Sequence, residues 1–128
     1  MIDHVSVGVR SLEDAASFYD AVLGTLGYTR RAARAGAIGF GKRYPEFWIN
    51  LRAGMQPLGS ESGNHVCLRA PSAECVNAFH SAAIAAGGAD DGPPGLRDYT
   101  QARAYAAFIR NPDGNRIEVV TFPDQRSS

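Results

Sequence analysis

Residues 4–9 read His4-Val5-Ser6-Val7-Gly8-Val9, and the pattern returns 61 positions later as His65-Val66-Cys67-Leu68-Arg69-Ala70. Further pairs at the same spacing are Ser11 and Ser72, Phe18 and Phe79, and Gly27 and Gly88. A repeat at a fixed period indicates two copies of one structural unit. It also places two of the three histidines of the chain at equivalent positions.

Each copy is predicted to form a β-α-β-β-β module. The opening segment alternates apolar and polar residues, which is typical of a strand with one buried face, and the histidine lies on the other face. Ser11 and Ser72 then precede apolar residues at helical spacing, which predicts N-caps and helices. The chain is therefore predicted to be a single α+β domain over residues 1–128, with module one at about 1–55 and module two at about 63–123.

Module two contains two segments in which proline and glycine dominate. Residues 90–99 include Gly92-Pro93-Pro94-Gly95, and we expect a loop there. Asn111-Pro112-Asp113-Gly114 fits a type I turn, with proline at its second position and glycine at its fourth. This turn would join strands at 105–110 and 116–122.

The composition excludes several classes of partner. Lysine plus arginine (13) equals aspartate plus glutamate (13), so no overall basic field attracts nucleic acid. The local cluster of Arg30, Arg31 and Arg34 is expected to be a solvated surface. No apolar run is long enough to cross a membrane. Two cysteines are too few for a disulfide framework, which favours a reducing, cytoplasmic location.

Glu118 is the carboxylate with the most unusual setting. It lies between Ile117 and Val119, so a central strand would carry it into the protein interior, where a carboxylate needs a partner. Two imidazoles and one carboxylate form the ligand set of His2Glu zinc sites and of non-haem iron sites. His4, His65 and Glu118 could supply this set. Strand histidines are also often simply hydrogen-bonded, and this alternative stays open.

The chain resembles the glyoxalase / bleomycin-resistance / extradiol-dioxygenase superfamily, the vicinal oxygen chelate fold. The segments that carry the resemblance are residues 4–7, 17–24, 65–68 and 111–118. It implies two modules in tandem that form one curved mixed sheet around a central cavity, with the helices outside. It also implies a divalent metal ion (Zn, Mn, Fe, Co or Ni) bound by His4, His65 and Glu118. Asn50 stands where glyoxalase I has a glutamate ligand.

The resemblance favours a metal-dependent lyase, isomerase, thiol transferase or dioxygenase that acts on a small oxygen-rich molecule. Glu118 and Asn50 would be the catalytic residues, the latter as a hydrogen-bond partner of the substrate or of water on the metal. Tyr44, Tyr99 and Tyr105 lie on or near loops that could close over the cavity. The residues expected to contact the substrate are Ser6, Trp48, Cys67, Tyr105, Phe108 and Arg116.

A second function stays open beside the enzymatic one. A non-catalytic protein of the bleomycin-resistance type would bind a drug-like or aromatic ligand in the same cavity, using Trp48 and the loop tyrosines. Its histidines would only be hydrogen-bonded. In either case the resemblance implies a homodimer, with a small molecule rather than nucleic acid or a membrane as the binding partner.

Overall fold

The two halves of the chain fold as the repeat predicts, each as a β-α-β-β-β module. The computed structural model describes residues 1–99 and 102–123, so residues 100, 101 and 124–128 of the predicted domain lie outside the described residues. Module one comprises β1 (Val5–Val9), α1 (Leu12–Gly24), β2 (Thr29–Arg34), β3 (Ala37–Gly41) and β4 (Phe47–Leu51). Module two comprises β5 (Val66–Arg69), α2 (Ala73–Ala85), β6 (Ala89–Asp98), β7 (Arg103–Arg110) and β8 (Arg116–Thr121).

Both helices begin at the predicted caps. The Ser11 hydroxyl accepts a hydrogen bond from the Asp14 backbone N–H at 3.3 Å, and Ser72 accepts one from Cys75 at 3.2 Å. Each helix has 13 residues, so the 61-residue period holds at both of its ends. Neither helix is long and apolar enough to span a bilayer, a finding that applies to the described residues.

The strands form two four-stranded mixed sheets, one in each module. Their orders are β1-β4-β3-β2 and β5-β8-β7-β6. The first strand of each module pairs with the last in parallel, and the other neighbours are antiparallel. The predicted α+β fold is thereby confirmed. Each module forms its own hydrogen-bonded sheet of four strands.

The prediction of a loop at residues 90–99 is wrong, because most of this segment is strand β6. It pairs with β7 only, and the register shifts between Asp90 and Gly92 and again between Gly92 and Gly95. An edge strand leaves one side without ladder bonds, and bulges add unpaired positions, so both prolines are tolerated there. The sequence signal for a turn was therefore a signal for an irregular edge strand.

One hydrophobic core serves both modules. Buried side chains of α1, such as Phe18 and Tyr19, belong to the same cluster as Phe79 of α2 and Ile117 of β8. The modules approach closely at Gly88, where an added Cβ would lie 2.9 Å from the Phe18 ring. The predicted type I turn is confirmed by the Gly114 N–H bond to the Asn111 carbonyl at 2.8 Å.

Candidate metal and ligand site

The sheet faces directed away from the core carry the polar residues that the sequence singled out. In module two these residues form a cluster of His65, Cys67, Tyr99, Phe108 and Glu118, which we call the module-two cluster. Cys67 and Phe108 flank Glu118 on the neighbouring strands, because β5 and β7 both pair with β8 at that residue. Glu118 is 6% exposed, and it is one of few buried ionisable residues in the described chain.

Both oxygens of the Glu118 carboxylate have partners. His65 Nε2 lies 3.1 Å from Oε1, and the Tyr99 hydroxyl donates to Oε2 at 2.8 Å. The His65 ring also packs edge-on against Phe108, with 5.9 Å between the ring centroids. These bonds satisfy a carboxylate that would otherwise be costly to bury.

Two neighbouring groups are held in their protonated forms. Cys67 is exposed at the surface, but the protein atoms around its thiol reduce the solvation of the charged form. This loss of solvation, together with the charge of Glu118, raises the pKa of the Cys67 thiol to about 12. Loss of solvation and the hydrogen bond to Glu118 raise the pKa of Tyr99 to about 12. At neutral pH Tyr99 is therefore a hydrogen-bond donor to Glu118, and Cys67 is a poor nucleophile.

Arg116 lies beside this cluster on the same strand as Glu118. Its guanidinium lies over the Phe108 ring at 4.0 Å from the centroid, and its Nε donates to Asp91 Oδ2 at 2.5 Å. Arg116 and His65 line one cavity of about 520 Å³ together with Ser6 of module one. This cavity therefore extends from module two to the first strand of module one.

Module one carries a second group, His4, Ser6, Trp48 and Asn50, which we call the module-one cluster. These residues line a cavity of about 380 Å³. The Asn50 amide donates to the Ser6 hydroxyl, and the guanidinium of Arg34 lies 4.9 Å from the centre of the Trp48 ring. His4 Nδ1 is bonded to Asp3 at 2.7 Å, and its side chain is half exposed.

The structure thus brings His65 together with Glu118, and it leaves His4 with the module-one cluster. Within residues 1–99 and 102–123 of one chain, no group of three histidine, cysteine or acidic side chains is close enough to hold a metal ion.

The strand registers show which residues of the two modules are equivalent. Cys67 lies opposite Glu118, whereas Ser6, its counterpart in the repeat, lies opposite Trp48. Asn50 lies opposite Gly8, two residues further along β1. Trp48 therefore takes the position in module one that Glu118 takes in module two. Asn50 lies two residues after Trp48 on β4, so its side chain lies on the same face of the sheet.

The remaining predicted contact residue, Tyr105, lies elsewhere. It belongs to β7 on the face opposite Phe108, and its hydroxyl donates to Asn77 of α2 at 2.6 Å. Asp91 and Arg34 were missed as partners of Arg116 and Trp48. Asp91 fell within the expected loop, and the stacking of Arg34 on Trp48 has no sequence signal.

Comparisons with known proteins show which family shares this fold. The family model described as Glyoxalase/Bleomycin resistance protein/Dioxygenase superfamily matches residues 1–119. A solved glyoxalase/bleomycin resistance protein from Albidiferax ferrireducens T118 is 39% identical, with a TM-score of 0.84 and coverage of 94% of this chain and 98% of that chain. A search of curated proteins found no match.

Two more distant structures share the fold. One is a glyoxalase/bleomycin resistance protein/dioxygenase family enzyme from Burkholderia phytofirmans PsJN, with 17% identity, a TM-score of 0.70, and coverage of 92% of this chain and 95% of that chain. The other is a mutant of the fosfomycin resistance protein FosX from Listeria monocytogenes, solved with Mn(II) and 1S,2S-dihydroxypropylphosphonic acid. It is 15% identical, with a TM-score of 0.70 and coverage of 98% of this chain and 94% of that chain.

Proposed function

The chain belongs to the Glyoxalase/Bleomycin resistance protein/Dioxygenase superfamily, and from this premise we propose that it is a small metal-dependent enzyme acting on an oxygen-rich small molecule. The observation that carries the proposal is the pair His65–Glu118. A carboxylate that is 6% exposed lies 3.1 Å from an imidazole nitrogen on the polar face of a sheet. An imidazole and a carboxylate are two of the three ligands of a His2Glu site.

The donors of module two fit a divalent cation in part, and His4 would complete the set. His4 and His65 side chains are 51% and 37% exposed, so both imidazoles are accessible from outside the chain. We propose that two copies meet through these polar faces as a homodimer. His65 and Glu118 of one protomer would then bind the cation together with His4 of the partner subunit.

The cation would polarise an oxygen of the substrate, which is the chemistry that such ions supply. The other roles fall to residues of the chain itself. Phe108 excludes water on one side of His65, and Trp48 offers an aromatic wall next to Asn50. Asn50 and Ser6, which are already bonded to each other, would hydrogen-bond a polar part of the substrate. Tyr99 orients Glu118 through the Oε2 bond.

The reaction class is a lyase, isomerase, thiol transferase or dioxygenase. The FosX neighbour supports this range, because its structure holds Mn(II) together with a small phosphonic diol. Mn(II) is one of the five ions that the resemblance implies, beside Zn, Fe, Co and Ni. Carboxylate and imidazole ligands suit several of these ions, so the donor set leaves the choice among them open.

Metal content tests the proposal directly. Protein purified without an affinity tag or chelator is loaded with each ion in turn, and bound metal is measured by mass spectrometry. Near-stoichiometric retention is expected in the wild type, with loss in Glu118→Gln and His65→Gln. His80→Gln is the matched control, because His80 pairs with Asp90 and not with Glu118. Equal metal content in Glu118→Gln and the wild type would contradict the assignment.

Mixed dimers test whether the site is shared between protomers. His4→Ala and Glu118→Gln chains are each expected to lose metal alone. After unfolding and refolding together, a mixed dimer would regain one intact site, made from His4 of one chain and His65 and Glu118 of the other. If mixing restores no metal while both variants still dimerise, the ligands do not come from two chains.

A ligand-binding protein without catalysis is the second candidate, and one observation favours it. His65 and Tyr99 already satisfy both oxygens of Glu118 without any cation. Tight binding of an aromatic ligand that is unaffected by metal, with no turnover on any metal, would favour this candidate. Such binding should depend on Trp48 rather than on Glu118.

The setting of the protein is part of the same proposal. Cys67 and Cys75 are free thiols, which suits a reducing compartment such as the cytoplasm. The cavities of about 380 and 520 Å³ beside the two clusters have the size of a small-molecule site. With 13 basic and 13 acidic residues, the chain has no excess charge for binding nucleic acid.

A further inference from the structure

Arg116 is held in a fixed orientation at the edge of the module-two cluster. The Phe108 ring covers one face of its guanidinium at 4.0 Å, and Asp91 accepts from Nε at 2.5 Å. In the described part of the chain this is the only hydrogen bond of the Arg116 guanidinium. The two terminal nitrogens, which form the fork that binds oxyanions, are left for a ligand.

Asp91 is shared by two arginines. Arg110 also contacts Asp91 Oδ2, with its Nε at 3.3 Å, so two guanidinium groups share one carboxylate. Arg110 is occupied further, because its Nη1 donates to the Gly114 carbonyl at 2.8 Å. Arg116 is the arginine of this pair that lines the 520 Å³ cavity, together with His65 and Asn64. Arg116 is therefore the member of the pair that presents its guanidinium to the cavity.

Arg116 lies close to the proposed metal ligands His65 and Glu118. It precedes Glu118 by two residues on β8, so both side chains project from the same face about 7 Å apart along the strand. An anionic group bound at the Arg116 fork would place the adjoining atoms of a small ligand next to His65 and Glu118. The spacing suits a molecule of only a few carbon atoms.

Building on the proposed function, we propose that Arg116 is the anion-binding residue of this site and that the substrate is a small carboxylic acid. The Arg116 fork binds the carboxylate through its two terminal nitrogens. Asp91 and Phe108 are positioning residues, because they fix the guanidinium plane before the ligand arrives. Preorganisation of this kind reduces the entropy lost on binding.

The test uses the full chain freed of metal on a chelating resin, with pyruvate as the probe and methyl pyruvate as its uncharged analogue. Amide chemical shifts are followed by NMR during titration. Pyruvate is expected to bind saturably and to shift amides around residues 64–66 and 116–118. Methyl pyruvate is expected to bind at least tenfold more weakly, since a charge-assisted pair is lost.

Variants separate this role from a structural one. Arg116→Gln is expected to weaken pyruvate binding at least tenfold, and Arg116→Lys to weaken it less, because the charge stays and the fork is lost. Arg110→Gln is the matched control, since it also removes an arginine from Asp91 and should keep pyruvate binding. Equal binding of both probes, unchanged binding in Arg116→Gln, or no saturable binding by the wild type would each overturn the proposal.

Metal content keeps this test apart from that of the proposed function. Arg116→Gln should retain metal as the wild type does, because Arg116 is not a ligand. A wild type that binds pyruvate through Arg116 and retains no metal would contradict the metal-dependent function alone. A wild type that retains metal and fails to distinguish pyruvate from its ester would contradict the anion site alone.

Discussion

Asp113 accepts two hydrogen bonds from Arg10, a residue 103 positions earlier in the chain. The Arg10 backbone N–H lies 2.9 Å from Asp113 Oδ1, and the side-chain Nε lies 2.8 Å from the same oxygen. These bonds tie the end of β1 to the turn between β7 and β8. A third bond, from the Asn115 amide to the Gly8 carbonyl at 2.9 Å, joins the same two segments. The turn between β7 and β8 therefore holds the two modules together through hydrogen bonds.

Replacing Asp113 with alanine should lower the free energy of unfolding by about 1–3 kcal/mol, because it removes the acceptor of the Arg10 backbone N–H and of the buried Asn111 side-chain amide. Asp113 is 5% exposed, so water cannot easily replace the carboxylate. Urea denaturation followed by circular dichroism measures the change. Asp98→Ala is the control, since Asp98 is largely exposed in its pair with Arg103 and should leave stability within error. Equal effects of the two changes would contradict the importance of the turn.

Tyr19→Phe should increase the free energy of unfolding by about 1 kcal/mol. The Tyr19 hydroxyl is buried without a hydrogen-bond partner among the described residues, and burial raises its pKa far above the usual range. Removing the oxygen ends that cost while the ring keeps its packing. Tyr105→Phe gives the contrast, because its hydroxyl donates to Asn77 and its loss should be destabilising. Thermal unfolding of both variants should therefore shift in opposite directions, and shifts of the same sign would refute this account.

Tyr99→Phe should weaken metal binding by about 10- to 100-fold, as loss of an orienting partner of a ligand commonly does. The reason is the 2.8 Å bond that holds Glu118 Oε2 in place. Competition with a coloured chelator measures the affinity, and an unchanged thermal unfolding profile shows that the fold is retained. Tyr44→Phe is the matched control, because Tyr44 is 59% exposed and precedes β4 in module one. Tighter metal binding in Tyr99→Phe would mean that the hydroxyl competes with the cation.

The pair His80–Asp90 should make stability depend on pH in the acid range. The hydrogen bond to His80, supported by the Gly92 N–H, lowers the pKa of the Asp90 carboxyl in the folded state. A carboxyl with a lowered folded pKa stabilises the protein above its unfolded pKa, which is about 3.9. That contribution is lost as the pH falls through the folded pKa.

Thermal unfolding of the wild type and of Asp90→Asn at a series of pH values tests this expectation. The difference in Tm between them should shrink as the pH falls below about 4. Asp20→Asn, which removes an exposed carboxylate paired with Arg30, provides a comparison at another surface site. A difference for Asp90→Asn that stays the same down to about pH 2 would argue against the assigned cause.

The repeat made most of the fold predictable. Ser11, Ser72 and the 61-residue period located both helices, because capping and periodicity are local properties of the sequence. Strand β6 was missed, since Pro93 and Pro94 locally resemble a loop and only pairing with β7 makes the segment a strand. Local chemistry cannot reveal a partner that lies far along the chain.

For the candidate site, the burial of Glu118 was predictable from the sequence, and the arrangement of its neighbours was less so. Glu118 was expected to be buried, and it is, because apolar neighbours on a central strand carry it inward. The bond of Glu118 to Tyr99 depends on how the chain turns back after β6. The position of Trp48 opposite Ser6 depends on the register between β1 and β4. Register is set by the packing of both strand faces, which the alternation of residues determines only to within an even displacement.

The single core that joins Phe18, Phe79 and Ile117 has a consequence for the origin of the protein. The sequence contains two copies of one unit, and each copy alone would expose the apolar surface that it buries against the other. An ancestor with only one copy would have had to cover that surface with a second, identical molecule. Gene duplication would then have converted an association between two chains into the folding of one.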